Sequence, residues 1–116
     1  MSSRATLDAA RDATIDADRA RRQLKSLEGS NDALAGRMRA NLRRRLEADE
    51  RARALALAAI DSCDALTDLQ RDVLAARYVM ALTWRQVARQ VGYSPRPCQM
   101  IRNEGVRVLE SHGCEG

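Results

Sequence analysis

Four polar side chains in the C-terminal third of the chain recur at a spacing that would place them on the outer side of one helix. They are Arg96, Gln99, Arg102 and Asn103. Arginine and glutamine in such positions can hydrogen-bond to guanine and adenine edges in a major groove. The apolar positions between them, such as Ile101, would face the opposite way. The spacing therefore predicts a helix that carries base-reading side chains.

The residues ahead of this helix predict a second, shorter one and a tight turn between the two. Thr83 and Gln86 form a capping box, and apolar residues at helical spacing then continue to Val91. Gly92 can take the positive φ that ends a helix. In residues 94–95, serine suits the N-cap and proline suits the first helical position. This is the pattern of a helix-turn-helix.

Charge is unevenly distributed along the chain, whose formal net charge is +4. Residues 83–103 contain four arginines and no acid, whereas residues 61–72 contain four aspartates and one arginine. A local excess of arginine favours a phosphate-facing surface over a membrane anchor. The chain has a single lysine, Lys25, so part of this excess is a general preference for arginine.

Several classes of protein are disfavoured by composition. No run of about 18 apolar residues could span a membrane, and aspartates interrupt any apolar stretch near the N-terminus, so no signal peptide is expected. The three cysteines lack metal-ligand spacing and are expected to be reduced thiols in a cytoplasmic protein. Aromatic residues are too scarce to wall a sizeable ligand pocket, and no cofactor or metal is expected.

Residues 1–63 read as a charged, coiled-coil-like helical segment with a break near residues 29–31. A first helix over residues 4–28 has an alanine-rich apolar seam formed by Leu7, Ala10, Ala17, Ala20, Leu24 and Leu27. A second helix from Asp32 to about Cys63 has a stripe formed by Leu34, Met38, Leu42, Leu46, Ala52, Leu55, Ala56, Ala59, Ile60 and Cys63. The two could fold back as a hairpin or join the helices of a partner chain in a homodimer.

The second helix also carries a dense basic patch without an acid, formed by Arg37, Arg39, Arg43, Arg44 and Arg45. One interpretation is a second contact with nucleic acid or with an acidic protein surface. The alternative is a solvated helix face, because charge runs are common on helices.

Residues 64–112 are predicted to form the helix-turn-helix domain, followed by a flexible tail over 113–116. Thr67 and Gln70 form another capping box and open a helix that extends to about residue 80. Its inward face is predicted to consist of Leu66, Leu69, Val73, Leu74 and Tyr78. With the helices over 84–91 and 95–110 it should form a compact three-helix bundle, and the chain is predicted to be all-α. This bundle is expected to bury together Leu74, Val87, Ile101 and Leu109, and Tyr78, Trp84 and Tyr93 are interpreted as core residues.

Several short motifs between residues 66 and 109 occur in a familiar order. They are Leu69-Gln70-Arg71, Val73-Leu74, Arg77-Tyr78, Leu82-Thr83-Trp84, Val87-Ala88 and Gly92-Tyr93-Ser94. Over about 45 residues the stretch resembles region 4 of bacterial sigma factors, and within that group the small phage and prophage regulators of the RinA and ArpU type. Those regulators also tend to carry a long charged helical segment ahead of the helix-turn-helix.

The resemblance implies a sequence-specific regulator that binds double-stranded DNA, with residues 94–107 in the major groove, and that acts on phage or prophage genes. Because region 4 domains also bind RNA polymerase, a polymerase contact is implied as well. Two residues depart from the pattern. Pro97 replaces a polar or basic residue, and Gly105 replaces an alanine at a general cost of about 0.5–1 kcal/mol inside a helix.

The candidate DNA contacts divide into two groups. Those for base edges or nearby phosphates are Ser94, Arg96, Gln99, Arg102 and Asn103, and those for backbone phosphates are Arg85, Arg89 and Arg107. A competing hypothesis is a protein-interaction module, binding RNA polymerase, a phage packaging protein or a second copy of the chain through a helix-turn-helix shape. An enzyme is not expected, because no nucleophile, base or metal cluster is evident.

Overall fold

The computed structural model describes residues 2–112, and every regular element in that range is helical. The elements are α1 (Ser3–Ser26), α2 (Ala33–Ser62), α3 (Asp68–Leu74), a π-helical turn (Ala75–Val79) that continues α3, α4 (Trp84–Val91) and α5 (Pro95–Ser111). The predicted all-α class is confirmed for this part of the chain. The predicted flexible tail at residues 113–116 lies outside the described residues.

Helices α1 and α2 form an antiparallel hairpin that is capped at each helix start. Ser2 accepts a hydrogen bond from the Ala5 N–H (3.1 Å), and Asp32 accepts one from the Ala35 N–H (2.7 Å). The α1 seam is buried where it was predicted, at Leu7, Ala10, Ala17 and Ala20, whereas Leu24 and Leu27 are half-buried. Because the seam is mostly alanine, α2 can lie close against α1 while burying little apolar surface per turn.

The predicted apolar stripe of α2 is only partly correct. Its buried members are Leu42, Ala56, Ala59, Ile60 and Cys63. Leu34, Met38 and Leu55 are exposed, with 67%, 41% and 51% of their surface open to solvent. The buried band of α2 runs from Ala35 and Leu42 to Ala56 and Ile60, where Leu7 and Ala10 of α1 share its cluster, and the exposed apolar residues lie outside this band.

The basic patch on α2 is partly used to hold the hairpin together. Arg39 Nη1 donates to the carbonyl oxygens of Leu27 (3.1 Å) and Ser30 (2.8 Å), which close the turn after α1. Arg45 forms an ion pair with Asp16 of α1 at 2.5 Å. Two of the five arginines therefore serve the fold, which narrows the surface left for a second nucleic-acid contact.

Asp49 lies beside this ion pair and is poorly suited to carry a charge. One of its carboxylate oxygens, Oδ2, is buried and accepts no hydrogen bond from any donor within residues 2–112. Burial, followed by the adjacent Asp16 carboxyl, which can share a proton with Asp49 and adds its negative charge, raises the pKa of Asp49 to about 6. The hydrogen bonds from Arg45 and Asp49 lower the pKa of Asp16. The two carboxyls are thus matched to share one proton.

An Asp49→Asn variant is expected to be more stable than wild type at pH 7–8. The folded-state pKa of Asp49 lies above its unfolded value, so the folded state binds more protons between about pH 4 and 6 and loses stability as pH rises through that window. Asparagine keeps the shape without the charge. The gain should be on the order of 1 kcal/mol, discounted for solvent screening. The measurement is urea unfolding of wild type and variant, followed by circular dichroism at several pH values. The difference in unfolding free energy should vanish below about pH 4. An equal difference at pH 3.5 and pH 8 would contradict the prediction.

The buried side chains fall into two clusters. The first joins the hairpin to the C-terminal helices and contains Leu7, Ala10, Ala56, Ile60, Cys63, Leu66, Leu74, Tyr78, Val79, Val106 and Leu109. The second lies within the C-terminal helices and contains Val73, Ala76, Val87, Ala88 and Cys98, with Ile101 packed against it. The prediction that Leu74, Val87, Ile101 and Leu109 share one core is therefore wrong. Helix α5 contributes to the clusters at different points along its length: Cys98 and Ile101 near its start pack in the second cluster, whereas Val106 and Leu109 near its end pack in the first.

The π-helical turn is where the hairpin holds the C-terminal helices by hydrogen bonds. The Val79 carbonyl accepts from Thr14 Oγ1 of α1 (2.7 Å) and from Arg53 Nε of α2 (3.3 Å). A π-helical turn widens the helix and releases carbonyls from the ordinary bonding pattern, and such turns need partners of this kind. Tyr78 and Val79 are placed in the first cluster by the same turn.

Ala81 follows this turn in the left-handed region, with φ 56°. The Leu82 N–H reaches back to the Ala76 carbonyl (3.1 Å), a bond that requires the positive φ. Because a non-glycine residue is strained there, Ala81→Gly is expected to raise the free energy of unfolding by up to about 1 kcal/mol. Thermal melting should show a higher Tm, whereas Ala65→Gly, in the linker before α3, should not raise it. A lower Tm for Ala81→Gly would contradict the assigned strain.

Candidate nucleic-acid interface

The turn between α4 and α5 is built as the sequence predicts. The Gln86 N–H donates to Thr83 Oγ1 (3.2 Å) and the Thr83 N–H donates to Gln86 Oε1 (2.9 Å), which completes the capping box. Gly92 ends α4 with φ 81°, and its N–H donates to the Ala88 carbonyl (2.9 Å). Ser94 is the N-cap of α5, although its side chain caps no described backbone N–H. The two helices are thereby fixed relative to each other by local bonds.

One side of α5 and part of α4 form an exposed basic surface. The exposed predicted contacts are Arg85, Arg89, Ser94, Arg96, Asn103 and Arg107, while Gln99 is half-buried. Within residues 2–112, Arg85, Arg89 and Arg96 form no ion pair, and Arg107 pairs with Glu104 (2.7 Å). Three unpaired guanidinium groups on two adjacent helices produce a positive field that attracts phosphate.

The prediction that the Arg102 side chain faces outward without partners is wrong. Its guanidinium carbon lies 4.9 Å from the centroid of the Trp84 ring, and its Nη1 donates to the Tyr78 hydroxyl (3.2 Å). Its Nε donates to Asn103 Oδ1 (2.6 Å), which also orients the Asn103 amide. The side chain is half-buried. The hydrogen bond to Tyr78 and the cation–π contact with Trp84 hold this side chain against the C-terminal helices.

Arg77, which the sequence did not single out as a functional residue, lies over the same ring. Its guanidinium carbon is 4.5 Å from the Trp84 centroid, and its Nη1 donates to the Leu82 carbonyl (3.0 Å). Burial, followed by the neighbouring charge of Arg11, lowers the pKa of Arg77. The cation–π contacts fix Trp84 at the start of α4. The Arg77-Tyr78 motif was visible in the sequence, but its contact with Trp84 depends on the π-helical turn.

The aromatic residues thus occupy different environments. Tyr78 is buried, and Trp84 is half-buried against the second cluster, in keeping with the core interpretation. Tyr93 is 50% exposed at the turn, so its assignment to the core is wrong. Tyr93 lies in the turn between α4 and α5, and its side chain belongs to neither cluster. Met100, on the outer side of α5, is 64% exposed and was also not anticipated.

The two departures from the region 4 pattern have clear structural settings. Pro97 is in the first turn of α5, ahead of the first intrahelical donor, the Cys98 N–H, which bonds to the Ser94 carbonyl (3.3 Å). Its missing N–H therefore costs no hydrogen bond. Gly105 lies against Leu74, and a Cβ added there would be 3.1 Å from Leu74 Cδ1. The glycine allows α5 and α3 to approach closely, which accounts for its presence inside a helix.

Three further features of the described residues concern metal ligands, reactive thiols and membrane-spanning helices. Across residues 2–112, no three His, Cys, Asp or Glu side chains are grouped so that they could hold a metal ion. Cys63 and Cys98 are free and buried, and burial raises the pKa of the Cys98 thiol, which disfavours the reactive thiolate. In the same range no helix combines the length and the apolar character needed to cross a membrane.

Comparison with known proteins adds no relative. No protein-family model matches the chain, and neither a curated protein nor a solved structure matches it significantly. The resemblance to sigma factor region 4 and to RinA and ArpU regulators therefore stays a prediction from the residues themselves.

Proposed function

We propose that the chain is a sequence-specific regulator that binds double-stranded DNA and places the outer side of α5 in the major groove. The observation that carries the proposal is the exposed surface of Arg85, Arg89 and Arg96, which has no ion pair within residues 2–112 and no acid in the stretch 83–103. Helix α5 emerges from a glycine-closed turn that exposes its first turns, as groove-reading helices require. Phosphate attraction positions such a helix, and base-edge hydrogen bonds select the sequence.

The positions of the side chains suggest which of them contact base edges and which contact backbone phosphates. Arg96 is exposed on the first turn of α5 and is the candidate for a guanine edge. Asn103 lies on the same side, two turns later, with its amide oriented by Arg102. Arg85 and Arg89 on α4 are the candidates for backbone phosphates. The resemblance extends the proposal to phage or prophage genes, cytoplasmic location and a contact with RNA polymerase.

The test is the binding of the full chain to mixed-sequence duplex DNA over a salt series, followed by fluorescence anisotropy. We expect log K to fall linearly with log salt, with a slope of about −3 or steeper if three or more phosphates are neutralised. Selection from a random duplex library should then enrich one motif. A chain with intact helical circular dichroism that binds no duplex at low salt would overturn the proposal.

A second candidate function is a protein-interaction module, and one observation favours it. Tyr93 and Met100 expose 50% and 64% of their surface on the side of the helix-turn-helix proposed to face DNA. Exposed tyrosine and methionine are enriched where proteins bind one another. Capture of RNA polymerase by the full chain, lost in a Tyr93→Ser, Met100→Ser variant that still binds duplex DNA, would support a protein contact. Retention of the contact by that variant would count against it.

A homodimer through the N-terminal helices remains a further proposal. In the monomer, α2 of the same chain already covers the alanine seam of α1. A dimer would therefore have to use other surfaces, such as the flanks of α2 that expose Leu34 and Leu55. Sedimentation of the full chain tests this directly.

A further inference from the structure

Two arginines lie over the Trp84 ring, and a third, from α1, lies near the π-helical turn that carries one of them. Arg77 and Arg102 place their guanidinium carbons 4.5 Å and 4.9 Å from the ring centroid. Arg11 of α1 lies one helical turn before Thr14, whose Oγ1 donates to the Val79 carbonyl at the end of the turn that carries Arg77 (2.7 Å). Consistent with this placement, the charge of Arg11 contributes to lowering the pKa of Arg77. We call this group the arginine cluster: Arg11, Arg77 and Arg102.

The cluster has no anionic partner in the described part of the chain. None of its members forms an ion pair within residues 2–112. Of the acids nearby in sequence, Asp8 pairs with Arg4 (3.5 Å) and Glu104 with Arg107 (2.7 Å), while the exposed Asp12 forms no ion pair with the adjacent Arg11. Arg102 donates two hydrogen bonds and Arg77 one. Arg11 donates none, and its Nε is buried without an acceptor. Most of the donors of three guanidinium groups are therefore unused.

Such an arrangement is unfavourable unless an anion completes it. All three side chains are half-buried, so their mutual repulsion is screened less than between fully exposed charges. A buried guanidinium donor without an acceptor adds the cost of desolvation. A phosphate group offers several acceptor oxygens and negative charge, and arginine binds it in a two-pronged geometry.

The position of the cluster relates it to the proposed DNA surface. At about 100° per residue, Arg102 lies some 60° around α5 from the half-buried Gln99 and some 120° from the exposed Arg96, so it lies between the outward and the buried side of the helix. Helix α1 runs alongside α5, as shown by the bond from the Arg4 N–H to Glu110 Oε1 (2.9 Å). Arg11 therefore extends the basic surface beyond the helix-turn-helix.

We propose that the arginine cluster binds a phosphate group, and that this group is a backbone phosphate of duplex DNA beside α5. The assignment to DNA rests on the proposed function, whereas phosphate binding does not. The N-terminal hairpin thereby contributes directly to the nucleic-acid surface through Arg11, in addition to supporting the fold.

Two variants on the same helix test the site: Arg11→Gln and the matched control Arg22→Gln, an exposed arginine that lies along α1 from Arg11 and loses the same charge. One arm measures duplex DNA binding over a salt series. The other titrates inorganic tripolyphosphate and follows the emission of Trp84, the only tryptophan in the chain. We expect Arg11→Gln to make the salt slope shallower by about 1, weakening binding similarly on all sequences, and to abolish the Trp84 response. Arg22→Gln should behave like wild type in both arms.

The two arms separate the possible failures. If wild type binds no duplex DNA but its tripolyphosphate response requires Arg11, the phosphate site stands and the proposed function fails. If the response requires Arg11 while the DNA slope is unchanged, the ligand is a free phosphate compound and the assignment to DNA is wrong. If Trp84 of wild type responds to neither phosphate source, or if Arg11→Gln matches Arg22→Gln in both arms, the site itself is overturned. Arg11→Lys should restore the salt slope, and failure to do so in a folded protein would show that packing, not charge, had been lost.

Discussion

An Arg96→Ala variant is expected to bind its selected duplex about 1–3 kcal/mol more weakly than wild type and to discriminate less at one base position. Arg96 is exposed on the first turn of α5 and is held by no ion pair within residues 2–112, so its guanidinium is available for a base edge. Losing two hydrogen bonds to guanine removes affinity for the preferred base and leaves affinity for other sequences nearly unchanged. Anisotropy titrations against the selected duplex and its single-base variants give both quantities.

Two further arginine variants make this result interpretable. Arg85→Ala should weaken binding to every duplex alike, because a phosphate contact carries no sequence information. Arg51→Ala, an exposed residue of α2 without an ion pair in the described range, should leave binding within about twofold of wild type. If Arg96→Ala and Arg85→Ala lowered binding equally for all sequences, Arg96 would be a phosphate contact and base reading would have to lie elsewhere on α5.

The largest expected change in stability is that of Ile60→Ala, at about 2–5 kcal/mol. Ile60 is fully buried where α2 meets α1 and the C-terminal helices, in the same cluster as Leu7, Leu74 and Leu109. Truncation leaves a cavity bordered by four helices, which cannot all move to fill it. Leu55→Ala removes as much apolar side chain from a position that is 51% exposed, and should cost less than about 1 kcal/mol.

Unfolding of Ile60→Ala should also be a single event. Circular dichroism reports all helices, whereas Trp84 emission reports the helix-turn-helix alone. Because one cluster joins both parts, the urea midpoints from the two probes should coincide in wild type and fall together in the variant. A midpoint that falls only by circular dichroism would mean that the hairpin and the helix-turn-helix unfold separately.

The sequence correctly predicted the helix ends that are fixed by hydrogen bonds between residues close in sequence. The capping boxes at Thr67 and Thr83 and the left-handed Gly92 depend on residues within four positions of one another, so their chemistry can be recognised without knowing the fold. The start of α5 at Pro95 follows for the same reason. These features fix where α4 begins and ends and where α5 begins, and with them the outward position of Arg96.

The features that the sequence did not predict depend on contacts between distant segments. Whether Leu34 and Leu55 are buried depends on how much of the α2 surface the side chains of α1 cover. The sequence of α2 alone carries no information about this. No residue pattern within Ala75–Val79 marks a π-helical turn, and this turn is held by hydrogen bonds from Thr14 and Arg53 of other helices. The placement of Arg102 over Trp84 follows from that turn. Sequence periodicity describes a helix surface but not what lies opposite it.

The bonds that Thr14 and Arg53 make to the Val79 carbonyl have a consequence for how such a protein can evolve. A self-contained helix-turn-helix can be moved between genes by recombination, because it takes its core with it. Here the segment after residue 63 would arrive in a new protein with Leu74, Tyr78 and Leu109 uncovered and with an unpaired carbonyl. We therefore expect the hairpin and the helix-turn-helix to be inherited together, and substitutions at Thr14 and Arg53 to be constrained by the C-terminal half of the chain.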